Sequence, residues 1–477
     1  MTALLPRQVR DLPGPPGLPV VGNLLQIRSD RLHVIAQEWS RVYGEFFRFR
    51  IGPREFMGVT NPEAIATILR DRPEGFQRSS RLNETAKEMG LEGLFSANGE
   101  RWRRQRPMVM AALDPKHIKS YFPALVRVTE RLARRWQRAA VAGMDSPLQA
   151  DLMRYTVDVT AGLAFGEDIN TLESDHEVIQ THLDKVLPAV FKRTLAPFPY
   201  WRYVKLPADR ALDKHLAALH AAVDAFIRKA RLRLDTDPSL RGHPTNLIEA
   251  MIAARDEAGS QLNDTDVAGN MLTMLLAGED TTANTLAWMI YLLGRNPDAM
   301  QRARNEVRKA LGTLPLPMQV EQASALNFVE ACAHETMRLK PVAPIIPLEA
   351  ARDCVVAGIH VPAGQMLMCF MRPGGMDPCQ FPTPSSFDPA RWLVASHAKA
   401  ATSAKRAAMP FGAGPRLCPG RYLAMLEIKM VIGMLFGSFE LERVSTPDGA
   451  EPREHLAFTM SPTELRIRLQ PRSSFAS

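Results

Sequence analysis

Apolar residues recur at helical spacing, with charges between them, through most of the middle of the chain. From about residue 100 to 340 this pattern dominates, as in 125–141 and 212–234. One segment is different. It opens on Asn263-Asp264, a good cap, and stops before Pro297, so the spacing predicts a helix over 264–296. Residues 271–277 are apolar all round, as in a helix buried on every side. Such a helix of about 33 residues would be roughly 50 Å long, enough to cross a domain. Pro341 ends a further helix over 326–339, and a last one is expected at 421–436.

Strand patterns sit at the edges. Residues 46–51, a Gly52-Pro53 turn and residues 56–59 read as a hairpin, and short strands return with Pro and Gly in 341–415. The run 12–20 is too rich in Pro and Gly for helix or central strand. It is either an extended lead-in packed on the body or a flexible linker. No repeat or linker divides the rest. The expectation is a mostly α fold with small peripheral β-sheets, one domain over 1–477 with a Pro-rich lead-in over 1–22.

Composition narrows the class. With 477 residues, 46% hydrophobic and 23% charged, the chain is an ordinary globular one, large enough to enclose a cofactor and a substrate. The excess of 59 basic over 51 acidic residues is spread thinly, without the dense aromatic-laced patch that nucleic acid needs. Five cysteines without a C-x-x-C pair argue against disulfides and zinc and for a reducing compartment. No signal peptide or membrane anchor opens the sequence, so a cytoplasmic monomer is expected.

The chemistry concentrates in a few segments. In the loop 411–420, Gly412 and Gly414 allow tight turns and close approach of a flat ligand, and Arg416 offers a permanent charge to an anionic group. Cys418 lies just before a helix, whose free N–H groups stabilise a thiolate. A merely structural cysteine, as Cys332 reads within its apolar helix, leaves the Phe, Gly, Arg, Cys, Gly spacing unexplained. Ala277-Gly-Glu-Asp-Thr-Thr282 breaks the apolar helix with polar groups that cost on the order of 2 kcal/mol each if buried without partners. Gly278 in that run would admit a ligand to the backbone. A kinked helix is the plainer alternative. Glu335 with Arg338, Arg391 in the run 387–392, and the basic run Trp102 to Arg106 complete the set. Taken singly, the first is a common helix pair and the last a solvated face.

In this order, over 102–420, these motifs resemble the cytochrome P450 superfamily. The loop matches F-x-x-G-x-R-x-C-x-G at Phe411, Gly414, Arg416, Cys418 and Gly420. The resemblance implies haem b with Cys418 as its iron ligand, the haem–thiolate chemistry for which this family is the standard example. It implies that Asp280 and Thr281 are the acid–alcohol pair that handles dioxygen and protons. It also places Trp102 and Arg106 on the propionates and Ala277 and Gly412 against the cofactor. Glu335, Arg338 and Arg391 become one buried network serving folding and haem retention. Arg103 and Arg104 are left near the surface to help dock an acidic electron donor.

The pattern departs at Leu348 and Met376, where many members carry arginine, which leaves propionate anchoring open. Segments 341–353, 44–54 and 93–95 resemble bacterial fatty-acid hydroxylases of the family. By that analogy Arg54 meets a carboxylate at the channel mouth and Phe95 sits over the haem, with Leu276, Ala277 and Ala343 toward the substrate. Arg54 also reads as an exposed turn residue and Phe95 as ordinary core, and Gly58 stands about where a tyrosine is expected.

The implied function is insertion of one atom of O2 into a hydrophobic small molecule, a fatty acid or terpenoid, by hydroxylation or epoxidation. The sequence ends at Ser477 without a flavin or iron–sulfur extension, so electrons should come from a separate ferredoxin or flavodoxin. Two other classes stand beside it. A peroxide-using peroxygenase or isomerase commonly lacks the Asp280-Thr281 pair. A haem carrier or sensor has no use for a polar break in a buried helix.

Overall fold

A computed structural model describes residues 6–174, 179–393, 404 and 406–472. The helices that frame the site are α1 (Gly99–Ala112), α2 (Pro115–Val141), α3 (Leu148–Phe165), α4 (Ile179–Leu195), α5 (Pro207–Thr236), α6 (Asp264–Arg295), α7 (Asn327–Leu339) and α8 (Arg421–Ser438). Helices α2 and α5 start earlier than the periodic windows suggest. A proline at the first helical position of each costs no hydrogen bond and presets the backbone.

The sequence marks both ends of α6. Asn263 Oδ1 accepts from Asp266 N (2.9 Å) and Asp266 Oδ2 accepts from Asn263 N (3.2 Å), a reciprocal cap, and Pro297 closes the far end. Asp266 also accepts from Arg101 Nε and Gln105 Nε2, each at 2.8 Å, so the start of α6 is tied to α1. Helix α6 packs against α3. A Cβ on Gly278 would come within 2.3 Å of Thr160 Oγ1, and Thr156 Oγ1 donates to the Glu279 carbonyl at 2.9 Å. Gly278 therefore serves helix packing. This corrects the expectation that it opens the backbone to a ligand: the side where its Cβ would stand is filled by α3.

A five-stranded sheet stands to one side. Its strands are β1 (Phe46–Ile51), β2 (Arg54–Val59), β3 (Phe76–Arg78), β4 (Ile345–Ala350) and β5 (Met366–Phe370), in the order β1-β2-β5-β4-β3. The hairpin closes with Ile51 opposite Arg54. At the other edge β3 pairs antiparallel with β4 and sets Arg78 opposite Leu348. A small antiparallel pair, β6 (Glu454–Ala457) with β7 (Thr459–Pro462), returns against α6. The described part of the Pro-rich lead-in is ordered. Asn23 Nδ2 donates to the carbonyls of Pro15 (3.1 Å) and Pro16 (3.3 Å), and its Oδ1 accepts from Arg50 N at 2.8 Å. Residues 1–5 of that lead-in lie outside the described residues. Among the described residues no helix is long and apolar enough to cross a membrane.

Beside α7 lies an ion network built on the fully buried pair Glu335 and Arg338. Arg338 grips Glu335 with two parallel bonds, Nε to Oε2 (2.8 Å) and Nη2 to Oε1 (2.7 Å), and spends its other donors on the carbonyls of Gly375, Pro384 and Ser386. Glu335 also accepts from Arg391 Nε (3.1 Å), Trp392 Nε1 (2.8 Å) and Asp388 N (2.9 Å). Every charge here is answered inside the protein. Breaking such a pair strands a carboxylate in the interior, at a cost of about 3–5 kcal/mol. Arg338→Leu should therefore lower the unfolding free energy by about that amount in urea titrations followed by far-UV circular dichroism. A loss below 1 kcal/mol would show that the network is slack.

Candidate functional site

The loop 411–420 is folded by its glycines. Gly412 (φ +77°) and Gly414 (φ +69°) take left-handed conformations, and a Cβ on Gly414 would approach the Leu69 carbonyl oxygen to 2.4 Å. Cys418 N donates to the Phe411 carbonyl at 3.0 Å, closing the loop on itself. Burial raises the Cys418 thiol, while the N–H groups of Gly420 and Arg421 at the start of α8 and the nearby Arg106 pull it down. Arg106 Nη2 donates to the Leu417 carbonyl, one residue before the cysteine, and Arg421 Nη1 donates to the Cys418 carbonyl at 3.2 Å. Arg106, expected on an anionic group, is thus tied to the cysteine loop itself.

Next to this loop is a cluster of cations without carboxylates. Arg416 Nη2 donates to the Ala97 carbonyl at 2.6 Å and its guanidinium lies 4.8 Å from the Trp102 ring centre, while its Nε has no partner. Arg72 is 3% exposed with Nε and Nη2 unpartnered. Arg78 Nε donates to the Phe95 carbonyl at 3.2 Å, with its guanidinium 4.2 Å from the Phe95 ring centre. Burial pulls Arg72 down to about 10; burial with Arg72 and Arg106 alongside pulls Arg416 down to about 9. Burial, then Arg72 and Arg416, holds Arg78 well below its ordinary range. None of the three has an ion-pair partner among the described residues. Sequence reasoning found Arg416 and missed Arg72 and Arg78. Only the strand register reveals that Arg78 stands opposite Leu348, the place where an arginine was missing.

Helix α6 has an open point of its own. Ala277, in the middle of this buried helix, is exposed, and Thr281 one turn later donates its Oγ1 to the Ala277 carbonyl at 2.9 Å. Asp280 Oδ2 accepts from Thr459 Oγ1 at 3.1 Å; burial pushes its carboxyl up to about 6, against the pull of that hydroxyl. The neighbouring Phe458 sits at φ +95°, a strained position for an aromatic residue, and packs its ring edge-on to Phe95 at 5.7 Å. Met460 N donates to the Val342 carbonyl at 2.8 Å, beside the exposed Ala343. Residues 458–460 thus link the segments that carry Phe95, Asp280 and Ala343. Behind α6, Glu427 of α8 accepts from Thr282 and is pushed up to about 8 by complete burial.

Three expectations are corrected. Leu276 is 5% exposed and packs into the core, because one step along a helix turns its side chain about 100° from Ala277. Arg54 is neither free nor a bare turn residue: its Nη1 and Nη2 donate to the carbonyls of Thr194 (3.4 Å), Leu195 (3.3 Å) and Ala196 (2.6 Å) at the end of α4. Arg103 is paired with Glu74 (2.8 Å) and Glu100 (3.3 Å), and Arg104 Nη1 donates to Gln261 Oε1 at 2.7 Å, so neither is an uncommitted surface charge.

A half-buried thiol, three cations lacking counter-charges and an open point on an otherwise buried helix suit a flat dianion carrying iron. The residues fit haem. The family model described as Cytochrome P450 matches residues 12–469. The chain belongs to the cytochrome P450 family. It is 28% identical over 470 residues to cyclooctatin synthase of Streptomyces melanosporofaciens, covering 98% of this chain and 97% of that protein. It is 27% identical over 467 residues to pentalenene oxygenase of Streptomyces avermitilis, covering 96% and 97%. Among solved structures, the haem domain of a cytochrome P450DA mutant has the same fold, with a TM-score of 0.83 at 24% identity over 97% of this chain and 98% of the other. This P450 is therefore a haem monooxygenase with a cysteine-thiolate-ligated haem, using O2 and a redox partner on hydrophobic substrates.

Arg78 stands opposite Leu348, where the motif pattern lacks an arginine. Charged hydrogen bonds of the kind it offers a carboxylate contribute about 1.5–3 kcal/mol. Arg78→Leu should speed haem transfer to apomyoglobin roughly tenfold while raising the melting temperature of the apoprotein, because a charge without a counter-charge is gone. Unchanged transfer, or a destabilised apoprotein, contradicts an anchoring role.

Proposed function

We propose that this P450 hydroxylates or epoxidises a neutral cyclic terpenoid, with Cys418 as the iron ligand and Asp280 and Thr281 as the pair that handles protons. The observation that carries the substrate reading is Arg54. Its Nη donors are committed to the end of α4, so they are not on offer to a fatty-acid carboxylate. Gly58 likewise has no room for a hydroxyl-bearing side chain, since a Cβ there would lie 2.4 Å from the Phe47 ring. The Streptomyces relatives support the same direction. One is named pentalenene oxygenase, and another, 28% identical over 431 residues, cyclooctat-9-en-7-ol 5-monooxygenase, which by its name acts on an unsaturated ring alcohol.

Bound haem supplies oxygen activation and the transfer of one oxygen atom to carbon. The chain's own residues do the rest. Trp102, Arg416, Arg72 and Arg78 would hold the carboxylates of the group, while Phe411, Gly412, Gly414 and Gly420 shape the loop that would present the Cys418 sulfur. Thr281, its hydroxyl proton held by the Ala277 carbonyl, accepts with its oxygen from a water on the open side of α6. Asp280, fixed by Thr459 Oγ1, passes a proton from the α4 side to that hydroxyl. Phe95, Ala277 and Ala343 press the target carbon toward the centre, and positioning sets regiochemistry.

Electrons come from a separate acidic ferredoxin or flavodoxin that docks over the exposed Arg421, whose guanidinium already touches the cysteine backbone. The enzyme works as a single-domain monomer in the cytoplasm, a reading consistent with its five free cysteines.

Two measurements test this. Thr281→Ala should keep its haem but yield roughly tenfold less product per electron pair, with the balance released as peroxide; full coupling rules out the assigned role. In titrations of the haem spin-state band, cyclic terpenes and their alcohols should shift the spectrum saturably and long-chain fatty acids should not. A saturable shift with fatty acids alone refutes the substrate reading.

A further inference from the structure

Between α4 and α6 lies a group of side chains that haem binding leaves unexplained. Asp184 comes from α4, and Glu279 and Asp280 from α6; one carboxylate oxygen of each lies within 4.8 Å of the others. Asp184 is exposed, Asp280 partly buried, and Glu279 only 1% exposed. Glu279 Oε1 is buried with no hydrogen-bond partner. The three have no ion-pair partner among the described residues. Asp280 alone has a donor, Thr459 Oγ1 at 3.1 Å. Two buried carboxylates facing a third, with nothing positive between them, are unfavourable unless a cation or a proton joins them.

We infer that Asp184, Glu279 and Asp280 form a binding site for a hard divalent cation of the Mg2+, Mn2+ or Ca2+ class. The donor set argues for that class. It is all oxygen, without histidine or sulfur, and supplies up to three negative charges from two separate helices. The way in is also present, since Asp184 opens to solvent while Glu279 closes the inner side. An ion held there clamps α4, whose last turn Arg54 already grips, onto α6. It also competes with the proton for Asp280. Occupancy therefore slows proton delivery without disturbing the haem. The site itself stands apart from the substrate reading; only the competition at Asp280 rests on the proposed role of that residue.

The test is an Mn2+ titration of the haem-loaded enzyme followed by electron paramagnetic resonance of the free ion, with Mg2+ and Ca2+ as competitors. The expected result is one saturable site per chain. Asp184→Asn and Glu279→Gln should each weaken it at least about tenfold, with the carbon monoxide difference spectrum unchanged. No saturable binding, which is the outcome if a proton alone bridges the group, overturns the site. So does wild-type affinity in either variant. If Glu279→Gln fails to take up haem, the exposed Asp184→Asn decides the matter alone. Slower product formation with Mn2+ in the wild type, absent in Asp184→Asn, supports the competition; equal rates overturn it while leaving the site standing.

Discussion

Positive charge buried without a counter-charge is the constraint around which this molecule is built. Arg72, Arg78 and Arg416 come from the segment before β3, from β3 itself and from the cysteine loop; burial makes each harder to keep protonated, and Arg72 adds to that at both Arg78 and Arg416. Removing a guanidinium from water is expensive unless an anion meets it. Haem brings two carboxylates, so the cofactor completes an electrostatic arrangement that the polypeptide leaves unfinished. Because Arg416 stands two residues before Cys418, whatever fixes the anion also fixes the sulfur. Cofactor retention and thiolate placement are one problem here.

The contrast with the Glu335 network is instructive. Arg338 is more deeply buried, yet all its donors meet a carboxylate or a carbonyl from its own chain. One arginine cluster is closed and holds the fold; the other is open and waits for a partner. The difference lies in the carboxylate. Glu335 is one turn away on the same helix, whereas Leu348, opposite Arg78, offers nothing.

How much of this is legible in the sequence follows from how local each cause is. The ends of α6 are written in Asn263, Asp266 and Pro297, and the cysteine loop in the spacing of 411–420. Both are decided within a few residues. Arg54 was misplaced because its partners are about 140 residues away in sequence. Arg78 was passed over because strand pairing, not local pattern, sets it against Leu348. Leu276 and Ala277 look alike as letters, and only the rotation of a packed helix separates core from open face. Gly278 shows the same limit: its freedom was visible, but not which neighbour uses it.

The contact of Gly278 with Thr160 carries a consequence for how such an enzyme changes over generations. With no space between α3 and α6 at that point, the helix over the reacting centre has no slack along its back. Mutations that enlarge residues there jam two long helices together, so the ceiling of the chamber is closed to gradual drift. Variation in what the enzyme accepts must accumulate instead at its walls, in the loop segments carrying Phe95, Ala343 and Phe458. Those positions are joined to the frame by a few hydrogen bonds and ring contacts, and one substitution there reshapes the chamber without unsettling the frame.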